Sequence, residues 1–133
     1  MRTRGPALAA SAAGTLAVLV AAAPTPASAD SGVINSAGND CSAYWDSDGN
    51  AFFIRDNAGG DDNDYCYVDY GATQAQAAGS SARRLTIPQD SSIGNFQRRV
   101  PDLSGIGDQI YFKVCEEREN DPDLCSNASG YKK

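Results

Sequence analysis

The chain predicts an all-β domain, a small antiparallel β-sandwich or barrel stapled by two disulfides. Three observations carry that prediction. Apolar residues gather in short runs rich in aromatic and β-branched types, separated by clusters of Gly, Asn, Asp and Ser. Four Cys lie in a chain of 133 residues that has no His. Helical character is confined to one patch, Ala75 to Ala78, which Gly71 and Gly79 hold to a turn or two.

The first stretch stands apart from the domain. Arg2 and Arg4 precede an Ala/Leu/Val run from Ala7 to Ala23, and the segment after Pro24 closes on Ala27-x-Ala29, a small-residue pattern before a signal-peptidase cut. A membrane anchor wants about 20 apolar residues, whereas this run is about 17 long and ends at Pro-Thr-Pro. Residues 1–29 therefore read as a signal peptide and 30–133 as a single secreted β-domain. No internal repeat or second domain is visible.

Within that domain the strands read, in order, as Cys41 to Asp46, Ala51 to Arg55, Tyr65 to Tyr70, Arg84 to Pro88, Asn95 to Arg99, Gln109 to Glu116 and Leu124 to Tyr131. Alternation supports several of them. Phe52 and Ile54 share a face opposite Arg55, and Ile110, Phe112 and Val114 share one opposite Lys113. On the third strand Cys66, Val68 and Tyr70 form the face expected to be buried, which leaves Tyr65, Tyr67 and Asp69 facing outward. Strands this short and closely spaced suit a sandwich or small barrel.

Four Cys in a small exported domain read as two disulfides. Cys41, Cys66, Cys115 and Cys125 allow three pairings. The turn-forming Asn120-Asp121-Pro122-Asp123 between the last two favours Cys115–Cys125, which leaves Cys41–Cys66. Zinc is disfavoured because no Cys-x2-Cys spacing occurs. The absence of His excludes a Ser-His-Asp triad, a Cys-His dyad and a His-built metal site, so no enzyme is expected and no resident cofactor is called for.

Charge is unevenly distributed. The chain carries 17 acids and 11 bases, a net of −6. Two of the bases and none of the acids fall in residues 1–29, so the secreted part carries −8, all of it between Asp30 and Asp69, where nine Asp meet only Arg55. Such a surface repels nucleic acid and anionic membranes. Within the acidic half, the loop from Asp56 to Asp64 offers Asp56, Asp61, Asp62 and Asp64 as calcium ligands. It lacks the closing bidentate Glu of a tight site, which places calcium binding in the weak range of about 10⁻⁴ to 10⁻³ M. A solvated turn is the competing reading of the same residues.

Two segments resemble those of small secreted proteins of actinobacteria. They are Asp48-Gly-Asn-Ala-Phe-Phe-Ile-Arg-Asp56 and Gly107-Asp-Gln-Ile-Tyr-Phe-Lys-Val-Cys115 with Cys125-Ser126, and the signal peptide adds to the likeness. The resemblance implies an extracellular β-domain and carries no functional residues with it.

The function expected is that of a non-catalytic extracellular binding or adaptor protein, whose partner is another extracellular protein or a cell-surface component. Tyr44, Trp45, Tyr65, Tyr67 and Tyr70 crowd the acidic half, and exposed Tyr65 and Tyr67 beside Asp61, Asp62 and Asp64 form the expected contact surface for a basic partner. The Arg83-Arg84 and Arg98-Arg99 region is next in line. Two alternatives are a proteinase inhibitor with Arg83-Arg84 as basic bait, and a small hydrolase working through paired carboxylates.

Overall fold

A computed structural model describes residues 30–57, 65–88 and 94–133. It contains nine strands among these residues: β1 (Ile34–Asn35), β2 (Cys41–Asp46), β3 (Ala51–Asp56), β4 (Tyr65–Gly71), β5 (Arg83–Thr86), β6 (Gln97–Arg99), β7 (Gln109–Glu117), β8 (Leu124–Cys125) and β9 (Ser129–Lys132). One short helix, α1 (Gln74–Ala78), follows β4. The first sheet runs β1-β2-β3-β6; the second runs β5-β4-β7-β8, with β9 also paired to β7. All pairings are antiparallel. The two open sheets form a sandwich, and no barrel closes.

The alternation read from the sequence builds the core. Cys41, Ala43 and Trp45 of β2 and Phe52 and Ile54 of β3 point inward from the first sheet. Cys66, Val68 and Tyr70 of β4 and Ile110, Phe112 and Val114 of β7 meet them from the second, all 2% exposed or less. Phe52 is the hub: its ring lies 4.9 Å from Trp45, 5.6 Å from Tyr70 and 5.0 Å from Phe112. Burying a side chain of this size contributes about 1.5–3 kcal/mol. The indole N–H of Trp45 donates to Lys132 O at 3.0 Å, so the largest core residue also has its polar atom satisfied.

Both expected disulfides are present. Cys115–Cys125 joins directly opposed residues of β7 and β8 within one sheet. Cys41–Cys66 instead ties β2 of the first sheet to β4 of the second, because the chain crosses between sheets after β3 rather than laying β4 beside it. The β2–β3 hairpin is closed by an Asp46 carboxylate that accepts from the backbone N–H groups of Asp48 and Gly49, both at 3.1 Å. Asn50 takes the left-handed conformation there, at φ 45°, which Asn tolerates better than most residues.

Several expected boundaries shift, and Arg84 to Pro88 becomes β5, Arg83–Thr86. Leu124 to Tyr131 is two strands, β8 and β9, because Ser126 interrupts the ladder with its own side chain: Val114 N–H donates to Ser126 Oγ at 2.9 Å. Asn95 to Arg99 shortens to β6. β1 is too short to produce a visible alternation and was not expected. Helix α1 forms where the Ala patch lies, capped by Thr73 Oγ1, which accepts from Gln76 N–H at 3.1 Å, and it ends at Gly79.

Candidate binding surface

The two sheets present very different outer faces. On the second sheet, Asp69 of β4 lies between its cross-strand neighbours Arg84 of β5 and Lys113 of β7. Arg84 grips its carboxylate with two hydrogen bonds, 2.7 and 3.0 Å, and the Lys113 ammonium stands at 3.8 Å. The carboxylate is buried, and such a charge is stable only when paired in this way. The Arg84 guanidinium also lies 3.7 Å over the ring of Tyr67, while the Tyr67 hydroxyl donates to Asp123 from the β7–β8 connection. Burial, and then the bond to Asp123, push the Tyr67 phenol well above its ordinary range. The hydrogen bonds from Arg84 to Asp69 strengthen the hold of the guanidinium on its proton.

This arrangement corrects one expectation. Alternation places Tyr67 with Tyr65 on an exposed face, but Tyr67 is 2% exposed, whereas Tyr65 is 36% exposed. The strand face is as expected; its covering by the Arg84 side chain and by Asp123 could not be read from alternation. Trp45 lies in the core, as does Tyr70 on the face expected to be buried. Of the expected calcium ligands, Asp56 is buried, on the inward side of β3 opposite Cys41, and Asp61, Asp62 and Asp64 lie outside the described residues. Among the described residues no group of three or more His, Cys, Asp or Glu is placed to hold a metal ion. Arg83 and Arg84 form hydrogen bonds to other segments of the fold. Both lie within β5, where Arg83 donates to Asp102 O and Ser104 O, each at 2.7 Å, and Arg84 is committed to Asp69.

The outer face of the first sheet is built differently. The pleat that sends Trp45, Phe52 and Ile54 inward sends Ser42 and Tyr44 of β2 and Phe53 and Arg55 of β3 outward. Tyr44 and Phe53 are directly opposed and their rings stack, with centroids 4.9 Å apart and planes 3° from parallel. Phe96, just before β6, meets Tyr44 edge-on at 5.0 Å. The Arg55 guanidinium covers Phe96 at 4.4 Å. Arg98, opposite Phe53 on β6, reaches the hairpin and donates to Gly49 O at 3.1 Å. Tyr44, Phe53, Phe96 and Arg55 are all partly exposed.

Electrostatically this face is an exception within an acidic chain. Among the described residues no carboxylate lies within ion-pair distance of Arg55, Arg98 or Arg99; their donors meet neutral oxygens of Asn57, Gly49, Gln97 and Arg98. Phe53 and Arg55 were legible as one outward face of β3, because Phe52 and Ile54 face the core. Phe96 had no such signal, since it precedes its strand.

Comparison with family models, with curated proteins and with solved structures finds no match for this chain.

Proposed function

We propose that the chain is a non-catalytic extracellular binding module that engages a protein partner through the outer face of the first sheet. The observation that carries this reading is the cluster of Tyr44, Phe53 and Phe96 with Arg55 and Arg98, partly exposed and without acidic partners among the described residues. Aromatic residues and Arg dominate the energetics of protein contacts, and here all but Phe96 are fixed on a paired sheet rather than on a loop. Two disulfides, and the absence among the described residues of any helix long and apolar enough to cross a membrane, are compatible with export, to which residues 1–29 would direct the chain.

The surrounding acidity shapes the partner. A net of −8 on residues 30–133 steers a basic surface toward the module.

The test is affinity capture from the producing cells' culture medium on immobilised chain 30–133, run in parallel with Phe53→Asp and with Arg118→Glu, which lies on the β7–β8 connection. A retained protein that is lost with Phe53→Asp and kept with Arg118→Glu supports the reading. Equal retention on all three removes the first sheet from consideration. A chromogenic glycoside turned over by the purified chain would overturn the non-catalytic assignment.

A further inference from the structure

The side chain of Arg55 is held more tightly than exposure alone would require. Its Nε donates to Asn57 Oδ1 at 2.7 Å. The Asn57 carboxamide is fixed in turn, with Nδ2 donating to Asn39 O at 3.0 Å and to Ser42 Oγ at 2.6 Å. Ser42 passes its own proton to Asn35 Oδ1 at 2.6 Å. From the other side the guanidinium lies on the ring of Phe96, which rests edge-on against Tyr44. Six residues from β1, β2, the β1–β2 connection and the segments beside β3 and β6 thus set the plane and rotation of one guanidinium.

What remains of Arg55 is its Nη edge. Among the described residues, the bond to Asn57 is the only hydrogen bond its side chain makes. The two Nη nitrogens form a planar fork matched to the two oxygens of a carboxylate. A long side chain ordinarily loses rotamer freedom when it binds, and here that cost has been met within the fold. By contrast, the fork of Arg84 on the opposite sheet is filled by Asp69.

We propose that Arg55 is a preorganised receptor for a carboxylate side chain of the protein partner, and that the rings of Tyr44, Phe53 and Phe96 pack an apolar residue next to that carboxylate. The inference rests on the reading of this face as the contact surface and adds the chemistry of its anchor. A side-chain carboxylate fits better than a polyanion. The chain as a whole carries −6 and repels an extended anionic polymer, while a single acidic residue set in an otherwise basic protein surface meets attraction at both ranges.

The experiment is a titration of isotope-labelled chain 30–133 followed by NMR at the Arg55 Nε–H and the Tyr44, Phe53 and Phe96 ring protons. The probes are acetyl-Phe-Glu-amide, acetyl-Phe-Gln-amide and sodium phosphate at matched ionic strength. The Glu peptide is expected to move these resonances saturably, the Gln peptide about tenfold more weakly, as for loss of a charge-assisted hydrogen bond, and phosphate no better than the Gln peptide. Arg55→Lys, which retains the charge and loses the fork, should narrow the preference for Glu over Gln. The Trp45 indole signal reports whether the fold is intact; if Arg55→Lys disturbs it, Phe96→Leu, which unpins the guanidinium, should narrow the same preference. Equal shifts with the Glu and Gln peptides, or phosphate matching the Glu peptide, would overturn the proposal. An indifferent Arg55 together with Phe53-dependent capture would remove the carboxylate anchor and leave the contact surface standing, whereas capture that ignores Phe53→Asp would remove the surface itself.

Discussion

Tyr67 and Asp69 show how a single strand face can be turned from a surface into an interior. Both project from β4 away from the core, yet each is covered by neighbours that satisfy its polar atoms: Asp123 for the phenol, Arg84 and Lys113 for the carboxylate. Because burial and the bond to Asp123 raise the Tyr67 phenol above its ordinary value of 10.0, the folded chain holds a proton that the unfolded chain releases. The stability linked to that proton is therefore complete below about pH 10 and declines as pH rises beyond it. Absorbance titration should show one tyrosine that fails to ionise before alkaline unfolding, and that fraction should vanish in Tyr67→Phe. Asp69→Asn leaves two cations facing each other without their carboxylate. Breaking a fully buried pair costs about 3–5 kcal/mol, but the Arg84 side chain is 51% exposed and solvent screens much of its loss. Urea unfolding should accordingly show a destabilisation of about 1–3 kcal/mol.

At the scale of elements, β7 organises the second sheet, pairing with β4 along one edge and with β8 and β9 along the other. Tyr111 of β7 lies across Gly130 of β9, so closely that a Cβ there would stand 2.5 Å from the ring. Gly130→Ala should force the ring aside and cost about 1 kcal/mol or more, as overpacking does, read as a lowered midpoint in thermal unfolding. The long strands were legible because each buries one face, so that Phe52 with Ile54, or Ile110 with Val114, leaves a period-two signature. The split between β8 and β9 was not, since it depends on a hydroxyl of Ser126 replacing a ladder bond, and Ser reads as an ordinary strand or turn residue. The candidate surface was half legible for the same reason. Tyr44 and its neighbourhood stood out as aromatic, and β3 alternation placed Arg55 outward, but the stacking of Phe53 and Phe96 about Tyr44 joins segments that are distant along the chain. The burial of Tyr67 likewise required knowing that β5 carries Arg84 beside it.

For the whole molecule, the two disulfides have different duties. Cys115–Cys125 closes a separation of 10 residues within one sheet, while Cys41–Cys66 closes 25 and clamps two sheets that share a core but no ladder. Chain entropy alone assigns about 2.7 kcal/mol to the shorter loop and about 3.5 kcal/mol to the longer. The paired substitution Cys41→Ala/Cys66→Ala should thus lower stability in urea more than Cys115→Ala/Cys125→Ala; the reverse order would show that the inter-sheet clamp adds little beyond the core. With that clamp in place the molecule offers two fixed outer faces. One is closed on itself by Arg84, Asp69, Lys113 and Tyr67, and the other displays Tyr44, Phe53, Phe96 and Arg55. The most direct test of the claim that the second of these meets the partner is hydroxyl-radical footprinting of chain 30–133, free and bound to the protein it captures. Binding should protect Tyr44, Phe53 and Phe96 and leave the oxidation of Tyr65 and Tyr111 unchanged; protection of Tyr65 and Tyr111 with Phe53 and Phe96 still oxidised would place the partner on the other sheet and contradict the account.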